Sequence, residues 1–347
     1  MTSIFKSSSY YTFANILPQA IGFLFLPVYS RYMTPGDFGI VSAMETLTAI
    51  FSIIVCLSLN RAAQRFYFDN NDAVLRKSML STLFIATMVL SFLFLILALI
   101  AEPILQLIFE SIDFYPYFLF CIVSVALNSL SLIPIIFYQV SEQPKKYVLL
   151  HLSRFVLQIL LIMFFVVWEA EGAKGQLKAV LISTSLFVPI YLYIAYKNFG
   201  RHFDLTLLKK ALYFSWPFVP TLLVAWILNL SDRLFIERFL DLTELGVYSM
   251  GYKISMAMFV LTSAFTMAYT PIFYKLANSK NQIEAKKTLY QYSTFAAIIF
   301  TLIAFFISLF SKELFDLVLD ERYTKGCGIL RVIIISHLLS AIMSITS

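Results

Sequence analysis

The chain has little of what a water-facing surface is made from. Charged residues are 13% of its 347 positions, and it carries 10 glycines, 3 histidines and 3 cysteines. Apolar side chains make up 60%, and the mean hydropathy is +0.82. A soluble domain of that composition would have nothing to set against water, so that class is excluded. Cys56, Cys121 and Cys327 form no CxxC pair, and the first two sit inside apolar stretches, so neither a disulfide framework nor a metal site is expected. His151, His202 and His337 are isolated, which gives no metal motif either, and no cofactor is implied. No GxxxxGK[ST] run occurs, so ATP is not expected to drive the protein directly. The net charge of +6 is assigned to loop topology, not to nucleic-acid binding.

What is abundant is apolar chain in long runs. Stretches of about 20 residues, each long enough to cross a hydrocarbon core of ~30 Å, follow one another with short polar breaks. The reading is an all-α polytopic membrane protein with about ten transmembrane helices, near 9–30, 38–60, 79–101, 114–139, 147–168, 177–197, 211–231, 243–271, 288–311 and 327–346. The first run is over-long for a signal-peptide core, contains Asn15, Pro18 and Gln19, and is followed by no small-x-small cleavage pattern, so it reads as a span. The loops 61–78 and 198–210 have room for a short surface helix and no more. With a cytoplasmic N-terminus, sixteen Lys and Arg fall on the inner side, among them Arg61, Arg65, Lys145, Lys146, Lys209 and Lys210, against nine on the outer side. That bias predicts N-in insertion in an inner, cytoplasmic membrane.

The chain also repeats itself. Ser30-Arg31-Tyr32-Met33-Thr34-Pro35-Gly36-Asp37-Phe38-Gly39 returns, 207 residues on, as Glu237-Arg238-Phe239-Leu240-Asp241-Leu242-Thr243-Glu244-Leu245-Gly246. The same offset carries the third span onto the ninth and the fourth onto the tenth, and Phe66-Tyr67 onto Phe273-Tyr274. An even number of spans between the copies makes this a parallel repeat with its axis along the membrane normal. The expectation is two six-helix bundles, an N-terminal lobe 1–205 and a C-terminal lobe 206–347. On this offset the second lobe stops about two helices short, and the chain reads as a fragment.

The motifs carry a resemblance. Pro35-Gly36-Asp37-Phe38-Gly39 after Pro27-Val28-Tyr29-Ser30-Arg31-Tyr32, then Leu59-Asn60-Arg61-Ala62-Ala63-Gln64-Arg65-Phe66-Tyr67, resemble the start of a polysaccharide-biosynthesis flippase. Ser215-Trp216-Pro217, Asn229-Leu230-Ser231-Asp232-Arg233 and Leu245-Gly246-Val247-Tyr248-Ser249 are similar to the start of that family's second lobe. The family is the oligosaccharide-lipid branch of the multidrug, oligosaccharidyl-lipid and polysaccharide exporter superfamily, which includes the O-antigen flippases of lipopolysaccharide synthesis. The resemblance implies two bundles in a V, with helices one, two, seven and eight lining a cavity that opens to either side in turn. It implies a polyprenyl-pyrophosphate-linked oligosaccharide as cargo, membrane lipids as surroundings, and polysaccharide polymerase and chain-length proteins as partners. It implies transport with no catalytic residues and no nucleic acid. A monomer with two complete lobes would suffice. A cation-coupled multidrug exporter of the same superfamily is the alternative, and a membrane glycosyltransferase is disfavoured by the short outer loops.

Polar residues inside a membrane are functional candidates by default. Asn15 and Gln19 share a face of helix one; Glu45, Thr48, Ser52 and Cys56 share one of helix two; Ser215, Asn229, Asp232 and Arg233 are the polar set of helix seven, and Ser249, Lys253 and Ser263 that of helix eight. Pyrophosphate calls for cations, Arg above all, and sugars call for amides, hydroxyls and aromatic faces. Cavity candidates are therefore Asn15, Gln19, Arg31, Arg61, Arg65, Asn229, Asp232 and Arg233. Arg61 and Arg65 have positive-inside anchoring as their competing role, Arg233 pairing with Asp232, and Asn15 with Gln19 interhelical bonding. Glu45 and Lys253 are expected to form a charge pair that latches the outer gate. Arg154 and His151, placed near the cytoplasmic end of helix five, are expected to anchor, with contact to pyrophosphate or lipid headgroups as the alternative.

Overall fold

The computed structural model describes residues 17–18, 21–69, 72–278 and 282–346. Among these the chain is helical throughout and contains no strand. Inside a bilayer no water is available to pair a free peptide group, and a helix satisfies its own backbone, so long apolar runs take this form. Helix α1 (Leu26–Tyr32) and α2 (Pro35–Cys56) are followed by a short α3 (Leu59–Asp69), then α4 (Ala73–Ile100) and α5 (Glu102–Gln106). A wide turn of helix at Phe114–Phe118 leads into α6 (Leu119–Ser129) and α7 (Leu132–Val140). Next come α8 (Pro144–Ile162), α9 (Gly172–Asn198), α10 (Leu205–Ser215), α11 (Phe218–Leu230) and α12 (Asp232–Phe239). The chain closes with α13 (Leu242–Ala277), α14 (Gln282–Leu309), α15 (Ser311–Val318) and α16 (Gly326–Thr346).

Among the described residues seven helical stretches are long and apolar enough to cross a membrane, and an eighth is added if α10 and α11, bent by 43° at Trp216-Pro217, form one span. Asn15 and Gln19, in the first expected span, lie outside the described residues. The sequence expectation is about ten spans; the span expected at 243–271 lies in α13, which is not among these stretches, and two others differ in detail. The fourth is broken at Leu130-Ser131. The seventh begins early, at Leu205, because the Asp204 carboxylate accepts from the backbone N–H of Thr206 (2.7 Å) and of Leu207 (3.3 Å) and starts α10 inside the expected loop. Pro217 supplies the bend, since its ring cannot continue the hydrogen-bond ladder.

Contacts divide the chain into two compact units, one of residues 1–19 and 36–245, the other of 20–35 and 246–347. These boundaries do not follow the repeat: each unit takes in a segment from the opposite sequence half. In the first unit α9 packs on α6 and α8, and α4 on α6. Its interior holds Phe38, Met44, Phe109, Phe114, Phe118 and Ile122, all essentially sealed from solvent. Buried hydroxyls on α4 either bond their own helix, as Thr87 does to the Leu83 carbonyl at 2.8 Å, or reach across, as Ser91 does to Ser129. The outward faces of α4 and α14 carry Phe92, Leu97, Phe295, Phe305 and Phe306, apolar surface of the kind lipid tails cover.

The Pro35-Gly36-Asp37-Phe38-Gly39 motif acquires a physical meaning here. The Asp37 carboxylate accepts from the Ala173 N–H at 3.1 Å, at the positive end of α9. Phe38 is wholly buried. A Cβ on Gly39 would stand 1.9 Å from the Leu242 carbonyl oxygen, so the start of α2 and the start of α13 touch backbone to backbone. At Gly22 a Cβ would meet nothing within 4 Å. Gly39→Ala is therefore expected to lose about 1–3 kcal/mol of stability, and Gly22→Ala to lose little, as read by thermal unfolding in detergent.

Candidate functional site

The best-formed cluster of cations and aromatic faces lies in the first unit, where α2 gives way to α3. Leu57 (φ 44°) and Ser58 (φ 57°) both take left-handed backbone conformations, rare for residues other than glycine, and turn the chain sharply out of α2. The Ser58 carbonyl accepts from the Arg61 N–H at 2.9 Å and from the Ser215 hydroxyl at 3.1 Å, which ties the turn to the end of α10. Helix α3 then buries Leu59, Ala62, Ala63 and Phe66 on one face and leaves Arg61 and Arg65 exposed on the other. That two-faced pattern follows the 3.6-residue period of an amphipathic helix.

Between α3 and α10–α11 runs a groove of about 540 Å³. The Arg61 guanidinium lies 4.5 Å from the ring centre of Phe218, Arg65 lies 5.0 Å from Phe214, and the Lys210 ammonium lies 5.1 Å from Phe66. Asp69 pairs with Arg65 at 3.7 Å, and among the described residues lining the groove it is the one carboxylate. Stacking on a ring holds a guanidinium flat and keeps its N–H edge available, the geometry that suits a phosphate oxygen. Arg61 and Arg65 were legible in the sequence as cations at a helix end. Lys210, Phe214 and Phe218 were not named, because no local signal says that residues about 150 positions later fold onto α3.

The polar set of helix seven is bound up in internal bonds. Arg233 is 7% exposed; its Nε donates to the Ser42 hydroxyl at 3.2 Å, and its Nη1 donates to the Asn229 carbonyl at 3.0 Å and to Asp232 Oδ1 at 3.3 Å. The Asn229 side-chain amide donates to the Ala225 carbonyl of its own helix at 2.7 Å. Trp226 Nε1 donates to the Thr46 carbonyl at 3.0 Å. On α2 the expected polar face divides: Thr48 bonds Cys121 at 3.2 Å inside the bundle, whereas Glu45 is exposed. Glu45 and Lys253 lie in different compact units, Lys253 partly buried on α13.

Arg154 requires a correction. It stands ten residues into the Pro144–Trp168 span, about 15 Å along its axis, not at a helix end. Its Nη1 donates to Asn128 Oδ1 at 2.6 Å and its Nη2 to Thr184 Oγ1 at 3.0 Å. Neutral oxygens of α6 and α9 thus take the place of water around a guanidinium inside the bundle. Surface anchoring is not its role. Its neighbour His151 stacks on Tyr147 at 4.6 Å between ring centres.

In the second unit a smaller groove of about 330 Å³ runs between α13 and α16 past Thr262, Thr266, Ser340 and His337. Thr262 and Thr266 donate to the carbonyls of Met258 (2.8 Å) and Thr262 (2.9 Å), so they offer lone pairs and no protons to a ligand. Exposed Arg31 ends α1, and its carbonyl accepts from Arg322 Nη2 at 3.1 Å.

Matches to two family profiles make the chain a multi-span helical membrane transporter of the exporter superfamily that includes the multidrug and polysaccharide carriers. A family profile described as "Polysaccharide biosynthesis protein" matches residues 4–277, and a second, MatE, matches 217–347. The chain belongs to the polysaccharide biosynthesis protein family. An uncharacterized membrane protein of Haemophilus influenzae is 25% identical over 307 residues, covering 86% of this chain and 71% of that one. A protein of the Lsg locus of the same organism is 20% identical over 327 residues, covering 92% and 78%. Among solved structures, the inward-facing conformation of a multidrug resistance MATE family transporter superposes with a TM-score of 0.71 at 16% identity, covering 95% of this chain and 80% of that one. The Vibrio cholerae MATE transporter VcmN gives 0.50 at 15% identity, covering 99% and 83%. These structures share the fold.

One charged contact outside the spans yields a pH dependence. Arg322 Nε donates to Asp320 Oδ1 at 2.7 Å, and the Arg322 backbone N–H donates to the same oxygen at 3.1 Å. The side-chain bond from Arg322, then the backbone bond, hold the Asp320 carboxyl below its ordinary value of 3.8. A depressed carboxyl contributes stability that is present above the ordinary value and lost as pH falls through the depressed one. Unfolding of the wild type is therefore expected to ease as pH drops below about 4, and Asp320→Asn to flatten part of that slope in pH-resolved thermal scans.

Proposed function

We propose that this protein carries a polyprenyl-pyrophosphate-linked oligosaccharide, such as an O-antigen, capsule or exopolysaccharide repeat unit, across the cytoplasmic membrane by alternating access. In this reading the N-terminus and the α3–α10 groove face the cytoplasm, and a polysaccharide polymerase with its chain-length partners takes the cargo on the far side. The supporting observation is the groove. Arg65 and Lys210, which line it, lie on Phe214 and Phe66, Arg61 lies on Phe218 beside it, and Asp69 is the one carboxylate among its described lining residues. Cations laid on rings suit an anionic pyrophosphate joined to a sugar, because the donors meet phosphate and the rings meet the apolar faces of the pyranose.

The multidrug-exporter reading draws on the MatE match over 217–347 and on the shared fold. The groove weighs against it, since a cationic lining repels the lipophilic cations such carriers export. Arg233, Asp232 and Asn229 act in the present reading as positioning residues for α11 and α12, given the internal bonds they make.

The test is reconstitution into vesicles with a fluorescent pyrophosphate-linked oligosaccharide on one face. Replacing Arg61, Arg65 and Lys210 together by Ala is expected to slow translocation at least about tenfold, the equivalent of one lost charge-assisted bond of about 1.5 kcal/mol or more. Transport of a lipophilic cation dye with no movement of the lipid-linked sugar would transfer the assignment to drug export.

A further inference from the structure

Away from the groove, but at the same end of the first unit, a second set of cations stands over aromatic rings. Helix α7 packs on α3, where Gln64 Nε2 donates to Gln139 Oε1 at 3.2 Å, and the end of α9 shares a buried cluster with α3 through Ala195 and Phe199. The Lys146 ammonium, in the first turn of α8, lies 5.7 Å from the ring centre of Tyr138 at the end of α7. The Lys197 ammonium, in the last turn of α9, lies 5.9 Å from Tyr193, and the Arg201 guanidinium just beyond lies 5.1 Å from Tyr196. Tyr138 packs on Leu150, Tyr191 and Ile194, which joins the three helix ends.

We propose that the outward face of α8 and α9 binds an anionic phospholipid, its phosphate held by Lys146 and Lys197 and its acyl chains laid along the two helices. The proposal rests on the reading of the chain as membrane-embedded and needs no particular cargo.

Three observations support it. The first is the shape of the exposed surface. On α9, Leu186, Ile190, Tyr193 and Lys197 are exposed and recur at i, i+4, i+7 and i+11, while Phe187, Tyr191 and Ile194 face inward. On α8, Lys145, Leu149, Val156 and Leu160 share one exposed face in the same way. The stripes are about 16 and 22 Å long. Each begins at a cation and runs about the depth of one leaflet, half of ~40–45 Å with headgroups included.

Second, positive charge is stacked on positive charge. The first turn of a helix favours carboxylates. That of α8 has none, carries Lys145 and Lys146, and its N-cap residue Gln143 makes no side-chain cap. Among the described residues no carboxylate pairs with Lys145, Lys146, Lys197 or Arg201, exposed Glu142 in the preceding turn included, whereas Arg65, Lys178, Arg238 and Arg322 each have one. An anion from outside the chain supplies what α8 and α9 lack.

Third, the tyrosines suit the interface. A ring beneath each ammonium holds it at headgroup level, and a phenol hydroxyl can donate to a phosphate oxygen. A choline headgroup brings a cation of its own to these lysines, which selects against zwitterionic lipid.

Any basic helix end attracts anionic lipid to some degree. Helix α14 provides the comparison, because Lys286 and Lys287 are exposed near its start, where Glu284 occupies the first turn. The full chain in neutral maltoside micelles is titrated with dioleoyl-phosphatidylglycerol or dioleoyl-phosphatidylcholine, and its thermal midpoint is followed. The midpoint is expected to rise to saturation with phosphatidylglycerol and to stay level with phosphatidylcholine. Lys146→Gln with Lys197→Gln is expected to raise the half-saturating concentration about thirtyfold, about fivefold for each lysine. Lys146→Arg with Lys197→Arg, which keeps both charges, is expected to titrate like the wild type, as is Lys286→Gln with Lys287→Gln. No rise in the wild type, equal weakening by the two Gln pairs, or an equal rise with phosphatidylcholine overturns the proposal. The same rise with glycerol 3-phosphate, a phosphate without tails, overturns the lipid as occupant. No lipid-linked sugar takes part, so a failure of translocation in vesicles strikes the cargo reading and leaves this site standing.

Discussion

A charge that leaves water must be solvated by the protein itself, and that constraint shapes this chain more than any single packing contact. Most of its cations are set at helix ends, where water and headgroups do the work. Two are not. Arg154 bonds Asn128 and Thr184, and Arg233 bonds Ser42, Asn229 and Asp232. Each guanidinium ties its own helix to two others through its fork of donors, so a costly group becomes a cross-brace. Arg154 joins α6, α8 and α9, and Arg233 joins α2 to α11 and α12. Removing the acceptors around either would leave a buried charge with fewer partners, a larger cost than the loss of one bond.

The same rule explains how much of the molecule could be read from its residues. The helical spans it does have and many of their breaks follow from hydropathy and turn chemistry, which are local. Arg61 and Arg65 were visible as helix-end cations for that reason. The depth of Arg154 was not, because counting from an approximate helix boundary put it a turn or more toward the surface, and its partners lie 26 and 30 residues away. The division of the polar face of α2 was equally hidden: spacing puts Glu45 and Thr48 together, but only the neighbour Cys121 decides that Thr48 turns inward. The exchange of segments between the compact units needs tertiary contacts that no periodicity encodes.

The repeated segment shows how far a sequence likeness can run ahead of its explanation. Ser30-Arg31 and Glu237-Arg238 share few residues, and the hydrogen bonds differ in direction: the hydroxyl and carbonyls of the first accept, while in the second Glu237 accepts and Arg238 donates. What is retained is the place of contact at the end of a span. Gly39, against the Leu242 carbonyl, marks the same end of the first unit and sets how near α2 and α13 can come.

The paired left-handed residues Leu57 and Ser58 make α3 something other than a continuation of α2. An eleven-residue helix is an arm about 16 Å long. A pull that shifts its far end by about 2 Å asks for about 7° at the joint, well within what a few backbone torsions absorb. Whatever binds the arginines of α3 therefore works with mechanical advantage on α2, and the Ser215–Ser58 bond passes part of that torque to α10.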